Sequence, residues 1–187
     1  RGQFFTPDPV VSFMVNFIRP QFNQKIIDPA CGTGGFLRQV ISYIRNNKNC
    51  DGFMIEEYIK ENVFGIKINP SIARVANLRF IFEGVDATNV MCYNALADMN
   101  YLNDNTNVKL GKNIYDIILT NPPFGSQGKI TDKKSLANFD LGYKWGNKKS
   151  NILQTGQVPD ILFIERCIEL LKPGGKLGII LPNGDLE

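Results

Sequence analysis

Ile26-Ile27-Asp28-Pro29-Ala30-Cys31-Gly32-Thr33-Gly34-Gly35-Phe36-Leu37 is the stretch from which the fold can be read. Its apolar opening reads as a buried strand, and Phe36-Leu37 with Val40, Ile41 and Ile44 has the spacing of a helix buried along one face. Between them stand three glycines within four residues, which permit a sharp turn and leave room for a ligand where a Cβ would clash. The helix that follows presents unpaired N–H groups to the same turn. Asp28, at the carboxyl end of the strand, faces that crevice. The spacing is neither G-x-x-x-x-G-K-S/T nor G-x-G-x-x-G, so a small adenosine-type ligand suits it better than a polyphosphate. Glycine turns also serve merely to close strand-to-helix connections, and other residues must decide between the two.

Upstream, Gly2-Gln3-Phe4-Phe5-Thr6-Pro7 leads into Val10, Val11, Met14, Val15 and Ile18, an apolar stripe at helical spacing that Pro20 stops. Thr6 stands where an N-cap belongs. A capped helix accounts for Thr6 and Pro7, and a capped helix start is also a carboxylate site.

Downstream the pattern repeats. A helix over Phe53 to Glu61 precedes a strand from Val63 to Ile68, and Asn69-Pro70 opens a helix carrying Ile72, Val75, Ala76 and Arg79. Val90 to Tyr93 reads as a third strand ending at Asn94, and the polar stretch from Asn100 to Asn113 as a surface connection. Tyr115 to Thr120 is a fourth strand running into Asn121-Pro122-Pro123-Phe124-Gly125, where two prolines end strand pairing and stiffen the turn. From Ser126 to Gln157 no periodicity appears, which predicts a lid or a disordered loop. Within it Lys129, Lys133, Lys134, Lys144, Lys148 and Lys149 face only Asp132 and Asp140, with Phe139, Tyr143 and Trp145 interleaved. That mixture suits a nucleic-acid strand, and equally a soluble surface loop. A helix from Pro159 along Leu162, Glu165, Ile168 and Leu171 ends at Lys172-Pro173-Gly174-Gly175, before a strand from Lys176 to Leu181.

Alternating strands and helices specify an α/β fold with a mostly parallel, doubly wound sheet, its ligand crevice beyond the carboxyl ends of the strands. Asp28, Lys67, Asn94 and Asn121 all fall at those ends. One domain over residues 1–187 is expected; because the chain stops soon after Leu181-Pro182-Asn183-Gly184, it reads as a fragment whose sheet lacks strands.

Composition narrows the chemistry. With 43% hydrophobic and 21% charged residues, the chain has the make-up of an ordinary globular domain. No apolar run approaches the ~20 residues that span a bilayer, and the first residues lack a signal-peptide layout, so a cytoplasmic protein without membrane contact is expected. Cys31, Cys50, Cys92 and Cys167 are too scattered for a C-x-x-C site and read as reduced thiols. The absence of histidine excludes serine–histidine and histidine–metal chemistry, and no metal site is expected. A net charge of +3 permits a polyanionic partner without requiring one.

Asn121 to Phe124 carry the most chemical information. A side-chain amide oxygen, a proline carbonyl and an aromatic face share one stiff turn, so a planar base could stack on Phe124 while its exocyclic amine donates to Asn121 and Pro122.

GQFFTP, DPACGTGGFL, NPPFG and LKPGGKLGIILPNG occur in this order. Together they resemble amino-methyltransferases, above all the methylation subunit of type I restriction–modification systems, an N6-adenine-specific DNA methyltransferase. The resemblance covers nearly the whole chain. It implies a Rossmann-like methyltransferase fold, S-adenosyl-L-methionine as cofactor and an adenine of double-stranded DNA as substrate. It also implies a DNA-specificity subunit and a restriction subunit as partners, with N-terminal helical and C-terminal parts lying outside residues 1–187. By that resemblance Gln3, Phe5, Thr6 and Pro7 contact the methionine part of the cofactor. Asp28, Ala30, Gly32, Thr33, Gly34, Gly35 and Phe36 hold its amino-acid and ribose ends, and Asn94 reads its adenine. Asn121, Pro122, Pro123 and Phe124 hold a flipped target adenine, with Asn121 also bordering the cofactor. Direct in-line transfer of the methyl group is the mechanism implied.

One position departs from the family. An acidic residue usually ends the second strand and accepts hydrogen bonds from the ribose hydroxyls, whereas here Lys67 stands there; Asn69 is the candidate substitute. Lys67 keeps open a noncatalytic subunit that binds DNA and a specificity partner. An RNA-base or protein-glutamine methyltransferase shares the N-P-P-aromatic turn, but the GQFFTP opening argues against it.

Overall fold

A computed structural model describes residues 5–47, 51–82, 89–100, 110–125 and 128–183. Gln3 with its neighbours Gly2 and Phe4, Cys50, most of the stretch between 100 and 113, Ser126 and Gly184 lie outside them. The elements in order are α1 (Asp8–Ile18), β1 (Ile26–Asp28), α2 (Gly35–Asn47), α3 (Gly52–Asn62), β2 (Val63–Lys67), α4 (Pro70–Phe82), β3 (Val90–Cys92), β4 (Tyr115–Thr120), α5 (Lys133–Ala137), β5 (Tyr143–Trp145), β6 (Lys149–Leu153), α6 (Pro159–Leu170) and β7 (Leu171–Ile179). A 3-10 turn, Asp140–Gly142, precedes β5.

The main sheet has the order β3-β2-β1-β4-β7, and every described pairing in it is parallel. Parallel strands need both faces covered, and the side chains alternate accordingly. Ile26, Ile117 and Leu119 point into a core made with α1 to α4, through Val11, Val15, Leu37, Ile41 and Ala76. Ile27, Ile66 and Ile118 point to the opposite face, against Leu162, Phe163, Cys167 and Leu170 of α6 and against Leu136 and Phe139. The strand order reverses between β1 and β4, the place where an open α/β sheet leaves a crevice. Asp28 and Asn121 stand on either side of it.

Several expectations change. Thr6 does not cap α1: Pro7 is the N-cap residue and no side-chain cap bond is made. The buried stripe of α4 is Ala73, Ala76 and Phe80, while Val75 is exposed; the glycine turn packs against Phe80 and Ala76 of that stripe. On α6, Ile168 is exposed, and Leu171 already belongs to β7. Lys172 to Gly175 bulge out between the pairs Tyr115 with Leu171 and Ile117 with Lys176.

Residues 128–157, where no period is visible, hold α5, the 3-10 turn and an antiparallel β5–β6 hairpin closed by the Ile130–Gln157 bridge. Their order comes from side chains reaching the backbone: Gln154 and Gln157 both donate through Nε2 to the Leu141 carbonyl, each at 3.0 Å. Phe139 is buried in the core rather than displayed beside the lysines. Lys149 pairs with Asp140 and covers the Tyr143 ring, leaving Lys144, Lys148 and Trp145 exposed. No helix among the described residues is long and apolar enough to cross a membrane.

Candidate active site

The turn after β1 is built by two glycines with positive φ, Gly32 at 54° and Gly34 at 82°. A Cβ at Gly34 would come within 3.0 Å of the Phe80 ring, so this glycine lets the turn seat on α4. A Cβ at Gly32 would meet nothing within 4 Å: it would project into open space that forms part of a cavity wall.

Two adjoining cavities occupy the crevice. The larger, about 800 Å³, is walled by the ends of β2, β3 and β4, including Lys67, Asn94 and Asn121 to Phe124. The smaller, about 320 Å³, lies between the glycine turn and the start of α1, with Thr6, Asp28, Thr33 and Gly35 on its wall. Phe5, Ala30, Gly32 and Asn121 line both.

Asp28 is 1% exposed. Its carboxyl accepts from the Thr120 hydroxyl at 2.7 Å and from the Ala30 backbone N–H at 3.0 Å, so it ties β1 to β4 and shapes the turn. Burial nonetheless pushes its pKa up to about 7, against the opposing pull of those bonds and of Lys67. Burial likewise raises the Cys31 thiol, which is a packing group in this turn.

Asn121 donates through Nδ2 to the Thr6 hydroxyl at 2.9 Å, bridging the start of the chain to the end of β4. Its Oδ1 is buried and has no hydrogen-bond partner among the described residues. A buried orphan acceptor costs about 1–3 kcal/mol, and here it borders both cavities. After Pro122 and Pro123, the turn is held at its far end by Gly125, whose N–H donates at 3.1 Å to Asp160, a carboxylate buried at the start of α6. The turn therefore offers a rigid frame with one acceptor and the Phe124 ring on the large cavity. Such a frame suits a planar ligand with an exocyclic amine.

The model of the N-6 DNA Methylase family matches this chain over residues 1–187. The chain belongs to the N-6 DNA methylase family. Among its relatives is the type I restriction enzyme EcoEI methylase subunit of Escherichia coli, 30% identical over 99% of this chain and 33% of that protein. The StySPI methylase subunit of Salmonella potsdam is 27% identical over 99% of this chain and 32% of its own length. A solved structure concerned with complex assembly and conformational transition of the type I R-M system superposes with a TM-score of 0.74 at 25% identity, covering 97% of this chain and 33% of that one. The chain thus spans about a third of the relatives it matches.

Within this N-6 DNA methylase fold, the crevice gathers Phe5, Thr6, Asp28, Ala30, Gly32, Thr33, Gly35, Lys67, Asn94 and Asn121 to Phe124. Gly34 serves differently, facing Phe80, and Phe36, 3% exposed, is packed mainly in the core while also bordering the smaller cavity. Pro7 takes its place as the N-cap residue of α1. Asn94 accepts from the Leu96 N–H through Oδ1, so its amide offers chiefly donors to a ligand. Asn69 caps α4, its Oδ1 accepting from Ser71 and Ile72 N–H at 3.0 and 3.3 Å. It therefore does not supply the acceptor missing at Lys67, which lines the large cavity beside it.

Thr120, Asp160 and Arg79 are site residues not singled out for these roles in the sequence. Arg79 reaches from α4 to the Thr33 hydroxyl at 3.3 Å over the glycine turn. Thr120 carried a signal, a hydroxyl at the last position of a buried strand, and Asp160 another, an acid in the first turn of a helix. Nothing local marks Arg79.

Proposed function

We propose that this chain is the catalytic core of an adenine-specific DNA methyltransferase that uses S-adenosyl-L-methionine and works as the modification subunit of a type I restriction–modification system. The observation that carries it is Asn121 Oδ1: a buried, unpaired acceptor on a stiff turn, standing where two cavities meet. The donor set fits the cofactor. Gly32 offers open space for close approach, the start of α2 offers backbone N–H groups, and Asp28 lies beside them. When bound, S-adenosylmethionine supplies an electrophilic methyl group on its sulfonium.

The protein's part is to bind and orient. The glycine turn, Thr33 and the Phe5–Pro7 segment would hold the donor; Asn94, beyond β3, would face its base. Phe124 would stack on an adenine extruded from the duplex, at a cost of a few kcal/mol. The amide oxygen of Asn121 and the Pro122 carbonyl would accept from the exocyclic amine, fixing its hydrogens and turning its lone pair outward toward the donor side. Trp145, Lys144 and Lys148 on the hairpin would meet the DNA strand, and a separate specificity subunit would select the site.

Labelled methyl transfer to unmethylated DNA by the full-length chain with its partner subunits tests the proposal. Activity is expected, with a fall of at least roughly 100-fold on Asn121→Ala. Lys67 favours a second reading, a noncatalytic subunit. Absence of transfer together with absence of cofactor binding by calorimetry at millimolar ligand would establish it instead.

A further inference from the structure

The glycine turn is crossed by a cation that no motif in the sequence assigns. We propose that Arg79 is a cofactor-binding residue: its guanidinium holds the carboxylate of the amino-acid end of S-adenosylmethionine at the edge of the small cavity. This rests on the methyl-transfer function proposed above.

The charges on the two cavity walls place that end of the ligand. Among the described residues, the large cavity has Lys67 and Lys129 on its wall and no acid, which leaves an ammonium group unmatched. The small cavity carries both signs, with Asp8, Asp28, Arg38 and Arg79 around about 320 Å³. Arg38 and Asp8 pair with each other at 3.3 Å. Asp28 and Arg79 remain, one acid and one base, the complement of an α-amino acid whose ammonium and carboxylate are both charged. Both hydrogen bonds to Asp28 fall on Oδ1, and Oδ2 takes none from the described residues.

Arg79 is aimed at the site by its neighbours. Gly34 lies against Phe80 and Ala76, which seats α4 on the turn and sets Arg79, next to Phe80 in the chain, beside Thr33. Its Nη1 donates to the Thr33 hydroxyl at 3.3 Å, and the direction of that bond is fixed because a guanidinium only donates. One of five N–H donors is used in this way; among the described residues Arg79 makes no other hydrogen bond and no ion pair. The bond keeps the guanidinium over the turn while its remaining donors stay available. Such a planar, permanently charged fork matches a carboxylate. The start of α2, with no acidic residue in its first turn, borders the same cavity through Gly35 and adds backbone N–H groups.

The test is a pair of calorimetric titrations on the full-length chain with its partner subunits, using S-adenosylmethionine and its decarboxylated form, which differs only in lacking the carboxylate. For Arg79→Gln, the dissociation constant for S-adenosylmethionine should rise about tenfold. The constant for the decarboxylated form should stay within about twofold or fall, because losing a cation relieves repulsion of a ligand that has lost its negative group. Equal weakening of both ligands would show that Arg79 acts only by steadying Thr33, and would overturn the proposal. So would unchanged affinity for both. Arg38→Gln should leave the ratio of the two constants within about twofold of wild type; a larger change there than in Arg79→Gln would move the carboxylate to Arg38 and overturn the assignment. Arg79→Met gives the same comparison if glutamine prevents folding. A wild-type chain that binds neither ligand at millimolar concentration contradicts the proposed function itself; a wild type that binds both, in a ratio that Arg79→Gln does not alter, contradicts only the role of Arg79.

Discussion

Asp28 is a carboxyl group with almost no access to water, held by two hydrogen bonds that favour its charged form and by burial that disfavours it more. Its folded-state pKa of about 7 lies above the ordinary value of 3.8. Below pH ~4 the group is protonated in folded and unfolded chains alike. Between there and pH ~7 the unfolded chain ionises first, so stability is lost as pH rises. Asp28→Asn keeps an oxygen for Thr120 and Ala30 while removing the charge. It should therefore stabilise the fold at pH 8 by up to about 2–4 kcal/mol and have little effect at pH 4. Thermal unfolding of both proteins at the two pH values is the measurement, and an equal shift at each would show that Asp28 titrates normally. The placement of Asp28 at a strand end was legible in the sequence because β1 and its turn are contiguous. Its raised proton affinity was not, since it comes from burial by elements distant in the chain, which outweighs the opposing bond from Thr120, 92 positions away.

The glycine turn shows how one element divides its residues between folding and binding. Gly34 and Gly32 both adopt the left-handed region, but only Gly34 lies against another element. Gly34→Ala should cost roughly 2–4 kcal/mol of stability, combining the backbone penalty with a clash at Phe80. Gly32→Ala should cost only the backbone part, about 1–2 kcal/mol, yet weaken S-adenosylmethionine by tenfold or more because the new Cβ enters the cavity. Urea unfolding and calorimetry separate the two; similar losses in both assays for both variants would contradict the division. Strand, turn and helix were readable here because each depends on neighbours within a few residues. Two other elements were not. On α4 the apolar residues Val75, Leu78 and Ile81 are exposed while Ala73, Ala76 and Phe80 are buried, with Phe80 and Ala76 facing the glycine turn. Residues 128–157 lack a period because glutamines, Asp132 and Glu165 fix their backbone instead of an apolar stripe.

Across the whole sheet, five parallel strands bring their carboxyl ends to one edge and put Asp28, Lys67, Asn94 and Asn121 around two joined cavities. That convergence follows from alternating β–α units and was legible before any contact was known. Its electrostatics depend on which side chains share the space. Lys67 shares the large cavity with Asn69, whose oxygen is spent on capping α4, so the end of β2 offers a cation and donors where hydroxyls would require acceptors. S-adenosylmethionine carries a sulfonium charge, whereas the demethylated product S-adenosylhomocysteine does not. Replacing Lys67 by glutamate therefore acts twice: it supplies acceptors to both ligands and removes a repulsion felt only by the first. Lys67→Glu should tighten S-adenosylmethionine by about tenfold, the equivalent of about 1.4 kcal/mol, and S-adenosylhomocysteine by less. The gap between the two gains should narrow as salt is raised, because added ions screen charges in an open cavity. Paired calorimetric titrations at low and high salt measure both effects. No gain for either ligand would mean that Lys67 does not face the bound cofactor, and equal gains at every salt concentration would leave hydroxyl acceptance as the whole effect.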